Sequence, residues 1–273
     1  MGLLKPYLGA LSLLILGIWI GATVLGQYDQ VVIVSPTPVR EDVTVAGVAN
    51  PEPTIAPPSA PLCPNAGYLR TSGSTLLNER GEQVVLAGIN WFGFETDFYA
   101  PHGLSHRRLS DLLDQIVGLG FNTIRLPFTN ELFDPGRVPK DIDPQLNPEL
   151  NGISGLDLMD KVIEAASRRC LKVILDRHRP EARSQSPLWY TPKIGEECWV
   201  ADWRMLASRY LRNDTIIGVD LHNEPSGVAT WGSGDLSTDW RLAAERAGNS
   251  VLDVNPRSAP CQEAIRRALP RYR

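Results

Sequence analysis

The chain has 273 residues, of which 43% are hydrophobic and 21% charged, and its formal net charge at pH 7 is −4. This length is enough for one globular domain of about 250 residues. The mild negative charge and the lack of a basic stretch with interleaved aromatic residues exclude nucleic acid as an expected partner.

An uncharged hydrophobic segment lies near the start of the chain. It runs from Tyr7 to Gly26, and Lys5 precedes it. Its length is close to the ~20 residues that span a bilayer, so it is either a secretory signal peptide or an uncleaved signal anchor. We therefore predict that residues 1–27 direct the rest of the chain outside the cell, where it is secreted or anchored to the outer face of the membrane.

Residues 28–66 have the composition of a linker. They are rich in Pro, Thr and Val and nearly free of aromatic side chains, so they cannot build a hydrophobic core. We predict a semi-extended spacer. The stretch from Tyr68 to Val84 then places Arg80-Gly81 between two short apolar runs, a pattern that predicts a β-hairpin.

Apolar periodicity predicts four helices. In the first, apolar residues from Leu109 to Val117 recur at helical spacing, and Gly120 supplies a stop. Ser105 or Ser110 is the expected cap of its first turn. The other helices are predicted through Met159 to Ala166, through Trp199 to Tyr210, and from Asp239 to about Leu252.

Short apolar stretches alternate with these helices. They lie within residues 85–96, 120–128, 173–180 and 216–221. Four strands in alternation with four helices give a βαβα order, which predicts an α/β fold with parallel strands.

The last of these strands carries a carboxylic acid to its end. The apolar run from Ile216 to Leu221 fits a buried parallel strand, and Pro225 stops it. Glu224 therefore lies at the carboxyl end of the sheet, where (β/α) barrels build their active sites.

His222-Asn223-Glu224-Pro225 resembles the acid/base motif of glycoside hydrolase family 5, the cellulase-type retaining glycosidases. Further segments resemble the family in the same order: Val85 to Thr96, Gly120 to Phe128, Val173 to Pro180, and Asp239 to Asn249. The resemblance covers roughly residues 67–256. It implies a (β/α)8 TIM barrel that hydrolyses internal bonds of β-1,4-linked glucan, a cellulose-like substrate.

The resemblance also implies roles for individual residues. Glu224 is the proton donor, Asn223 binds the sugar 2-hydroxyl, and Arg125 holds the nucleophilic carboxylate. His178 and His222 line the cleft. Aromatic faces for stacking on sugar rings are offered by Trp91, Trp189, Tyr190 and Trp231.

Structural roles stay open beside these. Arg125 is alternatively an ion-pair residue, and His178 and His222 are alternatively core histidines. Asp176 and Asp220 are predicted to be structural acids. Helical spacing predicts core positions for Trp199, Trp203 and Trp240.

The resemblance ends before residues 257–273, which have no strand-like run and are predicted to be a tail outside the family domain. In the family, later strands supply the nucleophilic glutamate. Glu245 lies in a helical pattern and Glu263 in the tail, so neither is an expected nucleophile. We therefore expect a barrel truncated after about four β/α units, with Arg125 left to water or to Glu224. Such a chain hydrolyses little or nothing; the alternative is a catalytically inactive glucan-binding or interaction fragment.

The cysteines give no sign of a metal site. Cys63, Cys170, Cys198 and Cys261 show no Cys-x-x-Cys spacing and no clustered histidines. Neither a metal nor a cofactor is expected. Cys170 and Cys198 are predicted to be buried in barrel helices as small hydrophobic residues. Export permits disulfides, but the sequence does not predict their pairing.

Overall fold

The structure is a computed structural model that describes Cys63 and residues 66–256. The predicted signal segment at residues 1–27, most of the predicted linker, and the predicted tail at residues 257–273 lie outside the described residues. Among the helices that are described, none has both the length and the apolar character needed to cross a bilayer.

The described residues contain seven strands and four α-helices. The strands are β1 (Arg70–Ser72), β2 (Thr75–Leu77), β3 (Gln83–Val84), β4 (Gly88–Asn90), β5 (Thr123–Thr129), β6 (Lys172–Arg179) and β7 (Ile216–Asp220). The helices are α1 (Leu109–Gly118), α2 (Gly155–Ser167), α3 (Glu196–Arg209) and α4 (Trp240–Val254). Two short 3-10 helices, Asn130–Phe133 and Pro148–Leu150, lie between β5 and α2.

Four of the strands form a parallel sheet in the order β4-β5-β6-β7, with one α-helix between each strand and the next. This confirms the predicted alternation. In β5, Ile124, Leu126 and Phe128 are at most 1% exposed and join the core formed with the helices. Arg125 alternates with them and lies on the opposite face. Within the described residues, β4 and β7 are the outer strands.

The start of α1 differs from its prediction. Neither Ser105 nor Ser110 caps it; Arg108 is the cap residue and makes no side-chain cap bond. Instead, the backbone N–H of Leu109 donates to Oδ1 of Asn147 at 2.8 Å. A side chain distant in sequence therefore accepts from the free backbone N–H at the start of α1, a role that the local pattern had predicted for a serine.

A small antiparallel sheet covers the amino end of the parallel one. Strands β1, β2 and β3 pair in that order, and the turn at Arg80-Gly81 confirms the predicted hairpin. Leu69 and Val84 pack against Ile217, near the start of β7. The hairpin therefore closes the end of the parallel sheet opposite to Glu224.

The prediction that Cys170 and Cys198 are buried as small hydrophobic residues was wrong. Cys170 is not a free buried thiol, because it forms a disulfide with Cys63. Cys198 is free and exposed. The disulfide ties the segment before β1 to the turn that leads into β6.

Aromatic packing confirms two of the predicted core tryptophans. Trp199 is 0% exposed and Trp203 is 1% exposed, and Trp240 packs against the same core. Trp189 is also 0% exposed, with its ring centroid 5.8 Å from that of Trp240. Since it is enclosed by other rings, Trp189 offers no face for a sugar, contrary to the prediction.

Candidate active site

Glu224 lies just beyond β7, at the carboxyl end of the parallel sheet. Its φ is 52°, a left-handed conformation that is uncommon for residues other than glycine. The backbone N–H of Asn223 donates to the carbonyl of Arg177 at 3.1 Å, so this segment remains attached to β6 after the strand has ended. The Glu224 side chain is exposed and therefore accessible to a ligand from solvent.

Arg125 is held by two carboxylates. Its Nη1 lies 2.9 Å from Oδ2 of Asp176, and its Nη2 lies 2.6 Å from Oδ2 of Asp220. The expectation that Arg125 is left to water or to Glu224 was wrong, because both of these aspartates form ion pairs with it.

The same guanidinium orients Asn223. Nη2 of Arg125 donates to Oδ1 of Asn223 at 3.0 Å. Because the amide oxygen accepts this bond, the amide nitrogen of Asn223 remains as a donor. This N–H donor can bind the oxygen of a sugar hydroxyl.

Asp176 also binds His178. It is 0% exposed, and its Oδ2 lies 2.7 Å from Nδ1 of His178. Burial raises the pKa of Asp176, while the hydrogen bond from His178 and the charge of Arg125 oppose this. When Nδ1 carries the proton, the neutral His178 ring presents Nε2 as an acceptor. The ring is partly exposed, at 24%.

The structure places His222 in the interior and not in the cleft. It is 2% exposed, its Nδ1 lies 2.7 Å from Nη1 of Arg177, and its ring packs against Trp240. Arg177 is itself fully buried. The His222 side chain therefore lies in the core against Trp240 of α4, although His222 directly precedes Asn223 and Glu224 in the sequence.

The aromatic residues predicted to bind sugar differ in exposure. Trp91 is only 8% exposed, and its Nε1 donates to the carbonyl of His102 at 3.0 Å. Tyr190 is half-buried and donates to the carbonyl of Ser237 at 3.0 Å. Trp231 is 55% exposed.

Two residues near the site were not predicted. Asn90 accepts a hydrogen bond from Nη1 of Arg125 at 3.3 Å. Phe92 is 51% exposed and stacks on His102 with ring centroids 4.8 Å apart. Asn90 is the last residue of β4, so its place at the carboxyl end of a predicted strand is a signal that could have found it.

The described residues contain no group of three or more His, Cys, Asp or Glu side chains that could hold a metal ion.

Parallel strands with intervening helices, and polar side chains gathered at their carboxyl ends, define a protein of the (β/α) barrel class with its candidate site in the position usual for barrel enzymes. The chain belongs to the cellulase family, glycosyl hydrolase family 5, whose family model matches residues 77–261. This confirms the resemblance and the barrel class, and it places the chain in a family of glycosyl hydrolases.

Similar proteins agree with this assignment. An endoglucanase of Paenibacillus polymyxa is 51% identical over 200 residues, which are 73% of this chain and 50% of the relative. The major extracellular endoglucanase of Xanthomonas campestris is 41% identical over 202 residues, 74% of this chain and 42% of the relative. The chain thus spans about half the length of the curated relatives it matches.

A solved structure shares the fold. It is a cellotetraose complex of an endocellulase from Pyrococcus horikoshii, with 41% identity and a TM-score of 0.66. The match covers 71% of this chain and 56% of that one. The described strands and helices therefore follow the architecture of a family 5 endocellulase over the matched part.

Proposed function

We propose that this chain is the acid/base part of a retaining endo-β-1,4-glucanase. The observation that carries the proposal is the setting of Glu224. It is an accessible carboxylate at the carboxyl end of β7, beside Asn223, whose amide is oriented by Arg125. The family resemblance assigns Glu224 as the proton donor and Asn223 as a ligand of the 2-hydroxyl.

In the proposed reaction, the protonated carboxyl group of Glu224 gives its proton to the glycosidic oxygen while the bond to the anomeric carbon breaks. A second carboxylate captures that carbon, and retaining enzymes place the two carboxyl groups about 5 to 5.5 Å apart. Asp176 does not suit the second role because it is 0% exposed. Asp220 does not suit it because the resemblance assigns the nucleophile to a strand later than β7, on which Asp220 lies. We therefore assign the described residues to the acid half of the reaction alone.

The proposed substrate is a β-1,4-linked glucan. The relative from Pyrococcus horikoshii forms a complex with cellotetraose, and the match between the two proteins covers 71% of this chain. Asn223 and His178 would meet sugar hydroxyls, while exposed aromatic faces on Phe92 and Trp231 suit the apolar sides of pyranose rings. Trp91 and Tyr190 remain proposed substrate contacts through the edges that they leave exposed. No metal or cofactor enters this scheme.

The test is to assay the full chain for reducing-sugar release from soluble cellulose and for retardation in gels that contain the same glucan. We expect little or no release, and retardation that weakens in Asn223→Ala. Release comparable to that of the Paenibacillus polymyxa endoglucanase, abolished in Glu224→Gln, would contradict the restriction to the acid half. Failure of the chain to be retarded would contradict β-glucan as its ligand.

A second candidate function is glucan binding without catalysis. It is favoured by the occupation of Arg125, since Asp176 and Asp220 neutralise the guanidinium that would otherwise hold a nucleophile. Under this hypothesis Glu224→Gln binds insoluble cellulose as well as the wild type does. Impaired binding of that variant would favour a role for Glu224 at the reaction centre.

We also propose that the chain works outside the cell. The disulfide between Cys63 and Cys170 is typical of oxidising compartments, and one relative is named as extracellular. A cleaved signal peptide and a retained anchor are the two alternatives for residues 1–27. Sequencing the amino terminus of the exported protein distinguishes them.

A further inference from the structure

Arg177 is a buried cation held by neutral partners. It is 0% exposed; its Nε donates to Oδ1 of Asn130 at 2.7 Å, and its Nη1 lies 2.7 Å from Nδ1 of His222. Its Nη2 has no hydrogen-bond partner among the described residues. A guanidinium is costly to bury without a directly paired carboxylate. Packing alone therefore does not explain why a charged side chain is buried at this position. Its hydrogen bonds to Asn130 and His222 indicate that it orients these residues.

Both ends of Arg177 contact the segment that carries Glu224. The backbone carbonyl of Arg177 accepts from the N–H of Asn223 at 3.1 Å. Its side chain reaches the ring of the preceding residue, His222. One residue of β6 thus fixes two consecutive residues immediately before Glu224.

The contact with His222 also sets the protonation of its ring. A guanidinium has donors and no acceptor, so Nδ1 of His222 must accept and the proton of the neutral ring must lie on Nε2. Burial, together with the charge of Arg177, lowers the pKa of His222 to about 3. The other ionisable group that acts on this ring is His178, whose charge would act in the same direction.

A polar chain supports Arg177 from the helical side. Asn130 accepts from Nε and donates through Nδ2 to Oδ2 of Asp202, at 2.6 Å. Asp202 belongs to α3, and its charge favours the charged form of Arg177 across this bridge. Burial lowers the pKa of Arg177 to about 9, and the charge of Asp176 opposes this together with that of Asp202. The guanidinium is therefore held between α3 and the segment after β7.

We propose that Arg177 is a positioning residue for Glu224. Its side chain locks His222 in the tautomer protonated at Nε2, and its backbone carbonyl holds Asn223, so that the two residues before Glu224 are fixed. It acts through His222 and touches no substrate. The proposal rests on the proposed function only in taking Glu224 to be the proton donor. The tautomer and the fixed backbone follow from the contacts alone.

The first test is a long-range proton–nitrogen NMR spectrum of the full chain labelled with nitrogen-15. The chain has four histidines, and the signals of His222 are identified by their loss in His222→Gln. We expect a neutral ring with Nε2 protonated, unchanged between about pH 5 and pH 8. A ring protonated on Nδ1, or an imidazolium in this range, would overturn the proposal. This measurement needs no variant of Arg177 and no catalytic activity.

The second test compares Arg177→Met with Arg177→Lys. Methionine fills most of the space but cannot donate, so we expect a mixture of His222 tautomers and shifted amide signals for Asn223 and Glu224. Lysine keeps a donor and is expected to restore part of the wild-type pattern. Arg209→Met is the matched control in α3, and its pattern should be that of the wild type.

A folded Arg177→Met chain with unchanged His222, Asn223 and Glu224 signals would contradict the positioning role. If Arg177→Met does not fold, the positioning role is still tested by the tautomer of His222 in the wild type and by the spectrum of Arg177→Lys. Failure of the proposed function is a separate result, because absent glucan binding or hydrolysis leaves these spectra unaffected.

Discussion

At the scale of single residues, the site is organised around shared partners. Asp176 binds both Arg125 and His178 through the same oxygen, and Arg125 in turn holds Asp220 and orients Asn223. These contacts link three neighbouring strands. Removing one member is therefore expected to disturb the others, and single substitutions here should not be additive.

The burial of His222 leads to a prediction about how the unfolding free energy changes at acid pH. Its pKa is lowered from 6.5 to about 3 in the folded chain, so the unfolded chain binds more protons between these values. Stability from this group is therefore complete at neutral pH and is lost as the pH falls through that window. Between about pH 6.5 and pH 4.5, the wild type should lose about 2 kcal/mol more unfolding free energy than His222→Gln.

Denaturant unfolding of both proteins at the two pH values measures this difference. The carboxylates titrate in both chains, so their contribution cancels in the comparison. Parallel pH dependences for the wild type and His222→Gln would show that the ring is already protonated, or exposed, in the folded state.

At the scale of elements, the first turn of α1 is capped by a loop residue far away in sequence. Asn147 is 0% exposed; its oxygen accepts from the N–H of Leu109, and its nitrogen donates to the carbonyls of Leu104 and Arg107, each at 3.0 Å. The loop before α2 is thereby joined to the start of α1.

We predict that Asn147→Ala lowers the unfolding free energy by about 2 to 3 kcal/mol, since it removes a helix cap and leaves two carbonyls without their donor. Ser110→Ala is the matched control, because Ser110 was the local candidate for the cap and makes no cap bond. Its effect should stay within about 0.5 kcal/mol. Equal losses in the two variants would contradict the assignment of the cap to Asn147.

The sequence predicted those elements that form through contacts between residues close together in the chain. Buried parallel strands and amphipathic helices leave a local pattern, and the turn at Arg80-Gly81 is local as well. The cap from Asn147 and the Cys63 pairing join residues far apart in sequence, so no local pattern reports them. Glu224 was predicted from the strand that precedes it. His222 follows the end of β7, where the alternation of faces no longer predicts direction.

At the scale of the whole molecule, the start of the described domain is fastened to the amino end of the sheet. The disulfide joins Cys63 to Cys170 across 107 residues. Close to it, Nζ of Lys172 donates to the carbonyls of Gly67 and Asp214, each at 2.8 Å. These bonds close the hairpin over the end of the sheet that lies opposite to the site.

We predict that Cys170→Ser lowers the unfolding free energy by about 2 to 5 kcal/mol, because a long loop of the unfolded chain is no longer closed. Cys198→Ser is the control, since that thiol is free and exposed. Both variants are compared by denaturant unfolding without reductant. A loss in Cys170→Ser no larger than that in Cys198→Ser would contradict a stabilising role for the disulfide.

We propose that the carboxyl end of the parallel sheet binds a β-1,4-glucan at Glu224. The most direct measurement is a titration of the nitrogen-15-labelled chain with cellotetraose, followed through its backbone and side-chain signals. We expect saturable shifts at Asn223, Glu224 and His178, with α2 unaffected. Saturable shifts confined to α2 or to the hairpin, or no shifts at millimolar ligand, would contradict the claim.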